Sequence, residues 1–197
     1  MKKKNKIFYK ILVIFLFSFS FEANSKVLSI GNQNSKVTIK VFSSLTCPAC
    51  ANFHSKIFDN LKKDYIDKGL VKFEHHPFPL DLAALNAEII LRCHVNNAQK
   101  FELLSKIYEK QRLWAVGSDI NKINDSIKEI GLGVSLKDKE MDTCLNDDKA
   151  QDEILNQRIK AQKIYKIEAT PTIFINEKKY SGDVNYKKFK KALEKYL

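Results

Sequence analysis

Residues 37–53 read VTIKVFSSLTCPACANF, and the fold is decided inside them. Val37, Ile39 and Val41 alternate with Thr38, Lys40 and Phe42 in a β-branched run, the pattern of a strand with one buried face. Ser43 to Thr46 make a short loop. From Pro48 the pattern turns helical: Phe53, Ile57 and Leu61 recur every four residues, with Phe58 and Tyr65 beside the stripe, until Gly69 ends it. Cys47 and Cys50 therefore fall where a core strand hands over to a helix.

Working outward, Val27 to Ile30 is a short apolar piece before a Gly31-Asn32-Gln33-Asn34-Ser35 turn. Leu70 to His75 is the next strand, and Pro77 and Pro79 then break the chain. From Leu82 to about Leu145 the composition is helical, punctuated by Gly117, Gly131 and Gly133. A longer helix is expected over 147–164, then the strand Thr172 to Ile175, a hairpin into Lys178 to Ser181, and a closing amphipathic helix from Tyr186 to Leu197. The order β, β, α, β, helical block, α, β, β, α describes an α/β sheet domain with an all-helical insertion.

The placement of the two cysteines carries the chemistry. Cys47 stands at or near the N-cap, where unpaired N–H groups and the helix dipole favour an anion. Pro48 suits the first helical position, where its missing donor costs nothing. A Cys47 thiolate is expected, its pKa lowered from about 8.5 into the range of roughly 3.5–7.5. Such a sulfur is a good leaving group, and its stability in the reduced form makes the disulfide oxidising. Cys50, one turn in and more buried, would resolve the mixed disulfide. Competing readings find less in the sequence. Half a zinc site would want a second nearby pair, which Cys93-His94 and Cys144 do not form, so no metal is assigned. Haem attachment needs a histidine after the second cysteine, and Ala51 is there. An inert disulfide explains neither the strand-to-helix placement nor Pro48.

Other residues bear on function less directly. Thr170-Pro171 precedes an apolar strand, where the proline either simply initiates the strand or forms a cis-proline loop facing Cys47. Cys93 and Cys144 are read as a structural disulfide, with a second redox pair or a metal site with His94 as the alternatives. His75 shares a strand face with Val71 and Phe73 and is expected to be a half-buried, satisfied histidine, with proton transfer near the cysteines as its other reading. Trp114 is expected in the core or lining a groove.

The N-terminus points to export. Met1 to Lys10 carry five lysines, Ile11 to Phe17 is an unbroken apolar run, and Ala23-Asn24-Ser25 offers a small-x-small site. Residues 1–25 thus read as a signal peptide, with an uncleaved anchor as the alternative. The whole chain carries a formal charge of +11; residues 1–25 hold five of its 34 basic and one of its 23 acidic residues, leaving +7. The remaining lysines are interleaved with acids, as a solvated surface is, so no nucleic-acid partner is expected.

Three anchors together resemble the DsbA-like branch of the thioredoxin superfamily: Ser43-Ser44-Leu45-Thr46-Cys47-Pro48-Ala49-Cys50-Ala51-Asn52-Phe53-His54, His76-Pro77-Phe78-Pro79-Leu80-Asp81, and Ala169-Thr170-Pro171-Thr172-Ile173-Phe174-Ile175-Asn176. The resemblance implies a thioredoxin fold, a central mixed sheet flanked by helices, with an inserted helical domain. Residues 26–80 and 147–197 would form the two thioredoxin parts, and 81–146 the insertion. It implies a periplasmic enzyme that needs no cofactor, oxidises thiols of exported proteins and is reoxidised by a quinone-linked membrane partner. By position Cys47 matches the nucleophile, Cys50 the resolving cysteine and Pro171 a cis-proline, with Thr170 beside it able to pair with an extended substrate. Pro48 and Ala49 form the active-site loop. A reductase or isomerase on the same scaffold is the second reading, and a non-catalytic peptide-binding module the third. Two departures stand out. Pro48-Ala49 replaces the Pro-His of strongly oxidising members, and Val41 stands where many relatives carry a buried acid for proton transfer, with Lys40 and Glu74 nearby.

Overall fold

A computed structural model describes residues 27–197; the segment read as a signal peptide lies outside the described residues. Among the described residues, five strands form one mixed sheet in the order β1-β3-β2-β4-β5. β2 (Val37–Ser43) lies at the centre because its alternating face and its last residues are both buried. It runs parallel to β3 (Val71–Pro77), from Val37 against Val71 to Ser43 against Pro77. On its other side it pairs antiparallel with β4 (Thr172–Ile175), every residue of which is buried. β1 (Leu28–Ile30) closes one edge against β3. The other edge is β5 (Lys178–Tyr180), whose two exposed lysines discourage further pairing.

β3 extends two residues beyond the expected His75. The ladder continues because Phe78 N–H donates to Ser43 O at 2.8 Å, so Pro77 can end the strand without leaving that carbonyl unpaired. Leu70 stays outside it and is largely exposed.

The helix after Cys47 alternates two geometries. α1 (Pro48–Phe53) passes into a π-helical stretch (His54–Phe58), then α2 (Asp59–Leu61), then a second π-helical stretch (Lys62–Ile66). A π turn holds more residues than the 3.6 of an α turn. Mixing them keeps residues four apart on one face, so Phe53, Ile57, Leu61 and Tyr65 are all buried. Gly69, at φ 72°, takes the left-handed conformation that turns the chain into β3.

Six helices separate β3 from β4: α3 (Leu82–Cys93), α4 (Asn97–Glu109), α5 (Gln111–Trp114), α6 (Ile120–Leu132), α7 (Asp138–Leu145) and α8 (Asp148–Tyr165). Asp81, Asn96, Asp119 and Asp147 cap α3, α4, α6 and α8 with their side chains. α3 is buried nearly all round and packs against α4, α6, α7 and α8. α9 (Tyr186–Leu193) ends four residues earlier than expected and buries Phe189 and Leu193. One core joins sheet and helices: the Phe73 ring meets Phe58 at 4.7 Å and Phe101 at 6.1 Å. Trp114 belongs to this core, and its Nε1–H donates to Ile107 O at 2.8 Å. Among the described residues, no helix is long and apolar enough to cross a membrane.

Candidate functional site

Cys47 is the N-cap of α1, with extended backbone angles and Pro48 following it inside the helix. Its carbonyl accepts from Cys50 N at 3.0 Å and Ala51 N at 3.2 Å, closing the first turn. Pro48 and Ala49 lie exposed over that turn, Cys47 is half-buried, and Cys50 is buried; both cysteines are free thiols.

The loop ahead of Cys47 is tied to the helical block on both sides. Thr46 Oγ1 donates to Asp81 Oδ2 at 2.7 Å, while Asp81 Oδ1 caps α3 through Ala84 N at 2.7 Å. Leu80 N–H donates to Ser44 Oγ at 3.3 Å. From α5, the buried Gln111 amide donates to Leu45 O at 2.7 Å and Cys47 O at 3.0 Å. Gln111 did not stand out in the sequence. Its only signal there is its place three residues before Trp114, on the same face of the turn.

The second anchor meets the first across the sheet. The Thr170–Pro171 peptide bond is cis, and the Cys47 thiol donates to Thr170 O at 3.4 Å. The Thr170 hydroxyl is buried and has no hydrogen-bond partner, so it is free to serve the same sulfur. Thr172 Oγ1 donates to Ala169 O at 2.7 Å and folds the loop into β4.

Electrostatics separate the two sulfurs. Hydrogen bonding from Cys50 is the largest influence on Cys47. With Thr170 and the Cys50 and Ala49 N–H groups it outweighs burial and brings the Cys47 pKa down to about 5. Burial, reinforced by the neighbouring Cys47, pushes the Cys50 thiol far above its ordinary value. One sulfur is thus a thiolate at neutral pH, and the other a thiol.

Beneath Cys50 lies a buried polar group on the sheet. His75 is fully buried, against the half-burial expected, because Phe58 and Phe101 cover the face it shares with Val71 and Phe73 and Glu88 of α3 reaches its ring. Its Nε2–H donates to Glu88 at 2.9 Å, and its Nδ1 lies 3.3 Å from Ser43 Oγ. Burial pushes the Glu88 carboxyl up, but His75 and Arg92 together outweigh it and hold it below the ordinary range. Glu88 also accepts from Arg92 Nε at 3.2 Å. Sequence reasoning missed it; an acid inside the apolar run Ala84–Leu91 had to be buried and therefore paired.

Lys40 and Glu74 occupy the other face. Lys40 pairs with Glu177 at 2.6 Å and lies over the Tyr165 ring, and Glu74 binds His76 at 2.9 Å. Neither can act for the acid absent at Val41, because strand alternation points them away from Cys50. Val41 is paired in register with His75 instead.

Cys93 and Cys144 are joined in a disulfide between the end of α3 and α7, Cα atoms 6.1 Å apart. His94 sits beside it and bonds Val134 O at 2.9 Å.

A family model described as Thioredoxin matches residues 23–195. A putative protein-disulfide oxidoreductase of Rickettsia bellii is 31% identical over 161 residues, 81% of this chain and 61% of the relative. Disulfide bond formation protein D of Bacillus subtilis is 32% identical over 180 residues, 85% of this chain and 76% of the relative. The chain spans less than two thirds of the length of the rickettsial relatives it matches. The crystal structure of alpha-DsbA1 from Wolbachia pipientis is similar at TM-score 0.80 and 26% identity, over 87% of this chain and 91% of that one.

Proposed function

The chain belongs to the thioredoxin family, in its DsbA-like branch, and on that premise we propose that it is a thiol–disulfide oxidoreductase that oxidises exported proteins through Cys47 and Cys50. A substrate thiolate attacks the Cys47 sulfur of the Cys47–Cys50 disulfide. The bond to Cys50 breaks, and a mixed disulfide forms at Cys47. A second substrate thiolate then attacks the substrate sulfur of that bond and expels Cys47 as thiolate. The substrate leaves as a disulfide and the enzyme as a dithiol.

The observation that carries this reading is the position of Cys47 at the N-cap of α1, against Thr170 and beside a buried Cys50, which brings its pKa down to about 5. A stabilised thiolate leaves readily and favours the reduced enzyme, so the disulfide passes outward. Thr170 and Pro171, against the Cys47 sulfur, serve as the platform for an extended substrate. The Cys93–Cys144 disulfide is structural. Residues 26–80 and 147–197 make up the thioredoxin part, with 81–146 inserted. The protein works in the periplasm, delivered by residues 1–25, and a quinone-linked membrane protein returns it to the disulfide form.

The test is equilibration with glutathione, together with titration of the Cys47 thiolate by its ultraviolet absorbance. We expect a thiol pKa near 5 and a potential well above the roughly −270 mV of thioredoxin. A potential at or below that value assigns the protein to reduction instead. A Cys47→Ser protein that retains full function would make it a peptide holder.

A further inference from the structure

Two buried side chains stand between Cys50 and solvent, and the chemistry above uses neither. A small cavity, with room for about one water at ≈ 10 Å³, is lined by Cys50, Ser43, His75, His54 and Tyr108 among apolar side chains. On the outer side of α1 a groove of ≈ 760 Å³ opens along Pro48 and Ala49, and His54 and Tyr108 line that as well. The two rings, with centroids 5.0 Å apart, thus form the wall between cavity and groove. Both residues are at least nine-tenths buried, yet His54 Nε2 and Tyr108 Oη have no hydrogen-bond partner. Unpaired polar atoms in such a place are costly, and a structure that keeps two together invites a functional account.

We propose that His54, with Tyr108 beside it, is the proton passage between the solvent groove and Cys50. This rests on the oxidoreductase reading. When substrate thiolate attacks Cys47, the electron pair of the breaking S–S bond goes to Cys50 Sγ, which is buried away from bulk solvent. The sulfur must take a proton. His54 gives one from a ring nitrogen, directly or through the cavity, and regains one from the groove at its other nitrogen. No charge accumulates on the ring, because one proton arrives as one leaves. Burial, aided by repulsion from His75, holds His54 near pKa 3 and so keeps the imidazole neutral, as this exchange requires. Burial also holds the Tyr108 phenol well above its ordinary value, so it serves as hydroxyl and never as phenolate. The groups facing the pair are Cys50, Cys47, His75, Glu88 and the Ser43 hydroxyl inward, and Asp59, Glu109 and Arg112 at the groove. Such a passage does for Cys50 what an acid at Val41 would otherwise do.

The experiment is stopped-flow reduction of the oxidised protein by dithiothreitol between pH 5 and 9, with rates expressed per dithiothreitol thiolate. His54→Phe should be slower by about 100-fold, as loss of a proton-transfer group commonly is, while the Cys47 thiolate titration stays in place. His54→Ala should recover rate in proportion to added imidazole base, which the groove can admit. Should the Phe variant fail to fold, His54→Gln, a near isostere that cannot exchange protons, takes its place with the same expectation. Rates within twofold of wild type, or a slow His54→Ala that imidazole does not restore, overturn the passage alone. A wild-type protein that never exchanges with dithiol overturns the oxidoreductase reading and this inference with it.

Discussion

Thr170 acts on the Cys47 sulfur in two opposed ways. Its carbonyl accepts from the thiol at 3.4 Å, which favours the protonated form. Its hydroxyl favours the thiolate and is one of the influences that lower the Cys47 pKa, though smaller than Cys50. Thr170→Val keeps shape and backbone and removes only the hydroxyl. The Cys47 pKa should then rise by about one unit, and Cys50→Ala should raise it further. Titration of the thiolate absorbance checks both; an unmoved value in Thr170→Val would mean that the hydroxyl does not reach the sulfur. At this scale the sequence was most legible where a residue type has few uses: two cysteines three apart at a helix start, and a proline before a strand. It was least legible for Gln111 and Glu88, common residues whose roles come from partners distant in the chain.

Elements were legible where periodicity was plain. The alternation of 37–42 and the four-residue recurrence from Phe53 gave a strand and a helix, but not the two π-helical stretches that make a strict four-residue stripe possible. The end of β3 escaped because Pro77 reads as a breaker, while its neighbour Phe78 supplies the bond. Among the helices, α3 is held at its end by the Cys93–Cys144 disulfide, which closes a loop of 51 residues across α4, α5, α6 and α7. Constraining the unfolded chain over that length is worth about 4 kcal/mol at most. The Cys93→Ala/Cys144→Ala protein should therefore lose about 10 °C in Tm by calorimetry and still exchange disulfides at Cys47. A loss below 2 °C would show that α3 and α7 hold each other without the bond. Loss of exchange would instead give the pair a redox role.

Across the whole molecule the succession of strands and helices along the chain followed from their sequence patterns, whereas the spatial order of the strands and the sharing of a main core by the sheet and the inserted helices did not. That sharing places Cys50 deep enough to stay a thiol while Cys47, at the surface, ionises, and folding stability should reveal the difference. Folding lowers the Cys47 pKa to about 5 from the roughly 8.5 of an unfolded thiol. In the reduced protein this contribution is complete above the unfolded value, declines as pH falls, and is gone below about 5. Cys50 has the opposite sign: its raised pKa costs the reduced protein stability above about pH 8.5, where the unfolded thiol ionises. The oxidised protein has neither effect, while carboxylates and histidines titrate in both forms and largely cancel in a comparison. Urea unfolding of the oxidised and reduced proteins from pH 4 to 8 therefore isolates Cys47. The difference should be flat below pH 5 and then shift toward the reduced form by less than ~1.4 kcal/mol per pH unit, because solvent screens the half-exposed sulfur. A difference that does not change with pH would remove the stabilised thiolate, and with it the physical ground for an oxidising Cys47–Cys50 pair.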